Sequence, residues 1–139
     1  MPKEIAANLI EDFHAISVKD RLNLLLEFSE GLPELPARYA DHPDLLERVE
    51  ECQSPIYLFV EVVDDTVHLF FTAPKEAPTT RGFASILHSV IDGLSVQETL
   101  DFDDDFPSKI GLTEAVSPLR IRGMRGMLAR IKRQVREKQ

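Results

Sequence analysis

The residue best suited to chemistry in this sequence is its single cysteine, Cys52. A lone thiol cannot form an intrachain disulfide or a multi-cysteine zinc site, so its natural setting is a reducing compartment. It can still act as a nucleophile or exchange with another sulfur. A lone cysteine is often a small buried hydrophobe, but the neighbours Glu50, Glu51, Gln53 and Ser54 are all polar. The two acids should keep the pKa of the thiol at or above about 8.5 unless a cation offsets them.

Other kinds of chemistry would need partners that the sequence does not clearly supply. A cysteine hydrolase needs a base, and His14, His42, His68 and His88 are candidates that could equally be packing or surface residues. No histidine pair has the i, i+4 spacing of a helical zinc site, and no Cys-x-x-Cys occurs. The acid run over residues 101–105 lacks the glycine and closing glutamate of a calcium loop, which indicates a solvated linker. We therefore expect no metal site.

The elements that lead to the cysteine are predicted to be helical. Apolar residues recur with helical spacing over residues 3–14, and again between a capping signal at Ser17 and a helix end at Gly31. Prolines then predict an extended loop over residues 32–43. Residues 44–51 are ambiguous between a short helix and a strand.

A β-hairpin should follow the cysteine directly. Residues 56–63 and 66–72 are rich in β-branched and aromatic side chains, and Asp64-Asp65 between them has the length of a hairpin turn. Both strands are apolar on both faces for much of their length. Helices should therefore cover at least one face of the sheet.

The second half of the chain is predicted to be helical. Thr79 or Thr80 can cap a helix that Gly93 ends, and Ser95-x-x-Glu98 is a capping box that opens a short helix. A further turn should begin at Pro107. The last helix should begin at Ser117-Pro118, and its apolar stripe is formed by Ile121, Met124, Leu128, Ile131 and Val135.

Two glycines inside the last helix, Gly123 and Gly126, need a reason, because each costs about 1 kcal/mol relative to alanine. We expect another backbone to approach closely there. The element order predicts one α+β domain over residues 1–139, a small antiparallel sheet flanked by helices. Its core should bury Leu25, Leu26, Phe59, Leu69, Ile86, Leu87, Leu128 and Ile131.

Charge is distributed unevenly along the chain. The net charge of −8 combines −15 over residues 1–118 with +7 over residues 119–139. The basic last helix should lie against the acidic body or be solvated, and nucleic-acid binding is not expected because the rest of the surface would repel phosphate. No apolar run reaches the roughly 18–20 residues of a membrane span, and the start lacks the apolar stretch of a signal peptide. We expect a soluble, cytoplasmic protein that does not bind membranes.

Four motifs in order resemble those of SufE-type sulfur acceptors over roughly residues 16–135. They are a Leu-Pro-x-Leu-Pro run, a Cys-Gln-Ser run that leads into a strand, an acid-Ala segment followed by a basic-Gly pair, and a Ser-Pro-x-Arg-x-x-Gly run. In this chain they are Leu32–Pro36, Cys52–Ser54, Glu76-Ala77 with Arg81-Gly82, and Ser117–Gly123. The chain departs from the family pattern at Glu51, where the family has glycine, at Pro55, and at Tyr57, where it often has tryptophan.

This resemblance implies a SufE/IscU-like fold and a role in sulfur transfer. Cys52 would accept sulfane sulfur from the persulfide of a pyridoxal-phosphate cysteine desulfurase of the SufS/CsdA type and speed that enzyme's turnover. The sulfur would pass to an iron–sulfur scaffold of the SufBCD type. The protein would then be a carrier and activator rather than a free-standing enzyme, with no cofactor of its own. Partner contacts are implied at Gln53, Ser54, Glu76 and Gly123.

An acceptor of this kind should shelter its thiol until it docks, because a persulfide is easily reduced or oxidised. We therefore expect Cys52 to be at least partly covered. The cover should come from the loop that holds Glu76 and Ala77 and from the start of the last helix.

The acids beside Cys52 make a nearby cation necessary for thiolate chemistry. Arg120 is the first candidate, because a guanidinium stays charged, and Arg81 is the second. Two other interpretations stay open: an acidic adaptor whose cysteine is incidental, and a cysteine hydrolase. Loss or retention of function in Cys52→Ser separates the first from a sulfur acceptor, and a histidine within reach of the thiol would favour the second.

Overall fold

The computed structural model describes residues 2–139, with side chains from Glu4 onward. In this part of the chain, three α-helices precede a small sheet and four follow it. The elements are α1 (Pro2–His14), α2 (Val18–Glu30), α3 (Ala37–Ala40), a 3₁₀ turn (Pro43–Leu45), β1 (Glu47–Arg48), β2 (Tyr57–Val63), β3 (Thr66–Thr72), α4 (Pro78–Ile91), α5 (Val96–Leu100), α6 (Phe106–Lys109) and α7 (Pro118–Lys138).

The sheet has three antiparallel strands in the order β1-β2-β3. The predicted hairpin is confirmed. Asp64 and Asp65 at its turn have positive φ angles of 51° and 64°, as a type I′ turn requires. Residues 44–51, which were ambiguous between helix and strand, contain both: the end of the 3₁₀ turn is followed by β1. Arg48 of β1 pairs with Tyr57 of β2.

Helices α4 and α7 cover one face of this sheet, as the apolar strands predicted. Inward side chains of the strands, such as Val60 and Leu69, are buried in one core with Ile86 of α4 and Leu128 of α7. On the opposite face, the ring of Tyr39 from α3 packs on Phe59 and Phe70 with centroid distances of 4.8 Å each.

The helix starts agree with the capping signals in all but one case. Ser17 and Ser117 accept hydrogen bonds from backbone N–H groups in the first turns of α2 and α7, and Ser95 forms the complete capping box. The expected cap of α4 at Thr79 or Thr80 is wrong. Helix α4 begins at Pro78, because a proline at the first helical position needs no hydrogen-bond partner and already has a helical φ.

Six of the eight predicted core residues are buried, whereas Leu26 and Phe59 are only half-buried. Leu26 faces outward beside the buried Leu25, and Phe59 lies on the sheet face that α3 covers only in part.

The basic last helix lies against acidic parts of the body. Lys132 Nζ approaches Asp104 at 2.8 Å and donates to the Leu100 carbonyl oxygen, while Arg125 pairs with Asp105 at 3.2 Å. The acidic linker is therefore not simply solvated, because part of it pairs with α7. None of the helices in the described part of the chain combines the length and apolar character of a membrane crossing.

The neighbours Leu25 and Leu26 give a matched test of this core. We predict that Leu25→Ala lowers the free energy of unfolding by about 2–5 kcal/mol, since its side chain is completely buried. Leu26→Ala should cost less than about half as much. Urea unfolding followed by circular dichroism measures both, and equal losses would contradict the packing described here.

Candidate functional site

Cys52 lies in the turn that joins β1 to β2. The turn is closed by backbone hydrogen bonds from Val49 N to the Ile56 carbonyl oxygen at 3.0 Å and from Cys52 N to the Val49 carbonyl oxygen at 3.1 Å. Despite its polar sequence neighbours, Cys52 is only 8% exposed. The sheltered thiol that the sequence predicted is confirmed.

Two glycines of α7 let this helix lie close against residues 51 and 52. A Cβ atom on Gly123 would lie 2.8 Å from Cys52 Sγ, and a Cβ atom on Gly126 would lie 2.7–2.9 Å from side-chain carbons of Glu51. Both distances are too short for real Cβ contacts. Residues 51 and 52 thus occupy a groove that exists only because α7 has glycine at these two positions, which explains glycines that otherwise weaken the helix.

A small cleft of about 20 Å³ remains beside the thiol. That is the room of about one water-sized atom. Helix α4 contributes its first two turns to the wall, and α7 contributes its first two turns. The lining residues are Cys52, Gln53, Ser54, Thr80, Phe83, Leu119, Arg120 and Gly123.

Burial makes the thiol a weak acid. Burial is the largest cause and the charge of Glu51 adds to it, so that the pKa of Cys52 is raised to about 11 even though Arg130 acts to lower it. The pKa is high, as expected, but its main cause is burial, and Glu51 is the flanking acid that contributes. We expected Arg120 to offset the flanking acids, but in this state the cation that acts on the thiol is Arg130.

Arg130 is a charged residue of the site that the sequence analysis did not predict. Its Nε and Nη2 donate to Glu51 Oε1 at 3.2 and 2.7 Å, and its Nη1 donates to Glu47 Oε2 at 2.7 Å. Hydrogen bonding to Arg130 holds the pKa of Glu51 below its usual value. A signal was present, since spacings of 3 and 4 place Gly123, Gly126 and Arg130 on one face of α7.

Four of the predicted site residues lie together with the thiol: Gln53, Ser54, Arg120 and Gly123 line the cleft with Cys52. The Arg120 side chain is exposed, and its guanidinium makes no hydrogen bond or ion pair within residues 4–139. An unpaired cation at the mouth of the cleft is available to a developing anion. The roles predicted for these residues stay predictions.

Arg81 is not brought to the thiol. Its Nη1 donates to the Ala73 carbonyl oxygen at 2.7 Å and its Nε to the Ser29 carbonyl oxygen at 3.3 Å, so it joins the ends of β3 and α2. The next residue, Gly82, lets α2 pack closely, because a Cβ atom there would lie 2.5 Å from the Leu25 carbonyl oxygen. Arg81 and Gly82 therefore hold α4 against α2 and the end of β3 and do not contact the thiol.

The connection before α4 also stays away from the cleft. Glu76 is exposed there, and neither Glu76 nor Ala77 is among the residues that line the cleft. The cover expected from this loop is therefore wrong. Thr80 and Phe83 form that wall instead, because α4 begins early enough for its first turns to reach the thiol.

No histidine lines the cleft. His68 and His88 flank Asp92 at 3.6 Å each, and a ring nitrogen of His14 lies 2.9 Å from the Lys109 carbonyl oxygen. A cysteine hydrolase needs a base within reach of its thiol, so the geometry gives that interpretation no support. Within the part of the chain that the structure describes, no group of three or more His, Cys, Asp or Glu side chains is placed to hold a metal ion.

The sequence over nearly the whole chain fits a known protein family. The family model described as "SufE: Fe-S metabolism associated domain" matches residues 7–135. The chain belongs to the SufE family. This confirms the family resemblance of its four motifs.

Several relatives match this SufE-family protein over most of their own length. An uncharacterized SufE-like protein of Mycobacterium tuberculosis is 48% identical over 132 residues, which cover 94% of this chain and 91% of the relative. An uncharacterized SufE-like protein of Rhizobium meliloti is 30% identical, with 89% of each chain covered. The solution structure of a hypothetical protein from Thermus thermophilus superposes with a TM-score of 0.82 at 34% identity, covering 96% of this chain and 94% of the other.

These comparisons confirm the fold and support a broad role. The predicted α+β fold with a small antiparallel sheet is confirmed. Membership of the SufE family supports a sulfur-transfer role related to cysteine desulfurases, with which proteins of this family generally work.

The raised pKa of Cys52 gives a test on the free protein. Because alkylation requires the thiolate, the rate of reaction with iodoacetamide should rise roughly tenfold per pH unit from pH 7 to about pH 10. For the same chain unfolded in urea, the alkylation rate should level off above the ordinary thiol pKa of about 8.5. A folded protein whose rate levels off by about pH 9 would contradict a thiol held protonated by burial.

Proposed function

We propose that this SufE protein accepts sulfane sulfur from a pyridoxal-phosphate cysteine desulfurase onto Cys52 as a persulfide and thereby stimulates that enzyme. The observation that carries the proposal is a single sheltered thiol beside a one-atom cleft, in a chain of this family. The protein acts as a carrier, and its sulfur goes on to an iron–sulfur scaffold of the SufBCD type. We propose the cytoplasm as its location, where a reducing environment keeps the thiol available.

The transfer is an exchange between sulfurs. The Cys52 thiolate attacks the outer sulfur of the donor's persulfide, a new S–S bond forms on Cys52, and the donor cysteine leaves as a thiolate. No net oxidation or reduction occurs, and the proton of Cys52 goes to the leaving thiolate or to solvent. The pyridoxal phosphate that generates the donor persulfide belongs to the desulfurase, so the carrier needs no cofactor for this step.

The size of the cleft supports a sulfur atom as the cargo. A space of about 20 Å³ can hold the one atom that a persulfide adds to a thiol, whereas a carbon-based substrate would need far more room. Having one cysteine also helps a carrier, because a second thiol in the chain could attack the persulfide and release the sulfur as a disulfide forms.

Docking has to change the state of the thiol. With the pKa of Cys52 at about 11, only roughly one molecule in 10⁴ is a thiolate at pH 7. A thiol that is 8% exposed also cannot reach a donor persulfide in another protein. The partner must therefore bind a state in which the turn has opened. In that state we expect Arg120, which lines the cleft and has no ion-pair partner in the described residues, to stabilise the thiolate.

Sulfide release by a cognate cysteine desulfurase tests this function. Cys52→Ser should abolish stimulation while leaving the fold intact, because the two side chains are nearly isosteric. Stimulation by Cys52→Ser at the level of the parent would exclude the persulfide mechanism and favour the adaptor interpretation.

Arg120 has a matched control in Arg122, an exposed arginine of the same helix that does not line the thiol cleft. We expect Arg120→Ala to weaken stimulation several-fold and Arg122→Ala to weaken it little. Raising the assay pH should partly restore stimulation by Arg120→Ala, because a higher pH generates the Cys52 thiolate that the guanidinium no longer favours. Equal losses in the two variants would remove Arg120 from the mechanism.

A further inference from the structure

The turn that carries Cys52, residues 50–55, packs against α7 and is hydrogen-bonded to it through one charged pair. Within the described residues, the hydrogen bonds that join residues 50–55 to the protein outside the turn are those between Glu51 and Arg130. The remaining backbone hydrogen bonds of this segment stay within the turn itself. The polar attachment of the turn to the helix therefore depends on this pair.

Helix geometry explains why Arg130 reaches the turn. Helical side chains tilt toward the N-terminus, so the side chain of Arg130 extends back over the preceding turn of α7, where Gly126 leaves space for Glu51. Glu51 and its ion-pair partner thus meet beside the groove that holds Cys52. The position of Glu51 in this groove determines the position of the next residue, the thiol.

We propose that the Glu51–Arg130 pair is a tether that holds Cys52 in its buried position, and that the thiol becomes available for exchange when the tether separates. Arg130 is then a positioning residue for sulfur transfer. The biological meaning of this proposal rests on the proposed function, but the tether itself is a property of the free protein.

The surroundings of the tether suit reversible opening. The side chains of Arg130 and Glu51 are 22% and 35% exposed, and a pair with this access to solvent can separate without unfolding the protein. When Glu51 leaves, Arg130 keeps its hydrogen bond with Glu47 of β1 at 2.7 Å. Glu47 is itself held by Arg133 and Gln134, so the guanidinium stays in place for the turn to close again.

A tether role and a purely electrostatic role of Arg130 predict opposite changes in the reaction rate of the Cys52 thiol when Arg130 is removed. Arg130 lowers the pKa of Cys52, so its loss through charge alone would leave less thiolate and slow the reaction of the thiol. Loss of a tether would instead release the turn and speed that reaction. The sign of the change therefore separates the two roles.

Alkylation of Cys52 by the neutral reagent iodoacetamide at about pH 8, without any desulfurase, measures this sign. Arg130→Ala should react roughly five- to thirty-fold faster than the parent, and Arg130→Lys should restore much of the protection. Glu51→Gln should also react faster. The double variant should match the faster single variant, because both changes break the same pair. The control is Arg136→Ala, which removes an exposed arginine of the same helix that pairs with neither Glu51 nor Glu47 and should leave the rate unchanged.

An unchanged or slower rate in Arg130→Ala would overturn the proposal, and so would equal acceleration in Arg136→Ala. Circular dichroism and thermal unfolding check that each variant is folded. If Arg130→Ala does not fold, the parent still gives the test: raising NaCl from about 0.05 to about 0.5 M should speed its alkylation and leave Glu51→Gln unaffected. A salt-independent parent would then overturn the proposal. Because no desulfurase is present, failure of the tether and failure of sulfur acceptance are distinguishable.

Discussion

A close contact between the β1–β2 turn and α7 determines most properties of the site. Glu51 and Cys52 fit against α7 only because Gly123 and Gly126 have no side chains. The contact buries the thiol, and burial is the main reason why its pKa is high. It also leaves Arg120 at the mouth of the cleft. Substitution of either glycine would remove a cost to the helix, but would force the turn outward.

Shelter and reactivity make opposite demands on such a thiol. A persulfide is readily reduced or oxidised, so a carrier benefits from a closed site between donor and acceptor. Exchange, however, needs an accessible thiolate. A short turn with few hydrogen bonds to the rest of the protein can open locally while the core formed by the sheet, α4 and α7 stays folded. The cost of opening is then confined to a segment of a few residues.

Local signals in the sequence predicted the elements well, but not all of their contacts. The hairpin, the caps at Ser17, Ser95 and Ser117 and the apolar stripe of α7 follow from short-range spacing, which is visible in the sequence. Cys52 stood out because it is alone among polar neighbours. Spacing along α7 could place Arg130 on the face of Gly123 and Gly126, but it could not show the partner, Glu51, which is 79 residues away in the sequence. For the same reason, Arg81 was a plausible partner for the thiol until its contacts with the Ser29 and Ala73 carbonyl oxygens were seen.

The central claim is that sulfur becomes bound to Cys52, and intact-mass analysis tests it most directly. The protein is incubated with a cysteine desulfurase and cysteine, separated without reductant and weighed, and the modified peptide is then identified. The account predicts a gain of one or more sulfur atoms located on Cys52, reversed by dithiothreitol and absent from Cys52→Ser. No gain in mass with a desulfurase that the protein stimulates, or an equal gain in Cys52→Ser, would contradict it.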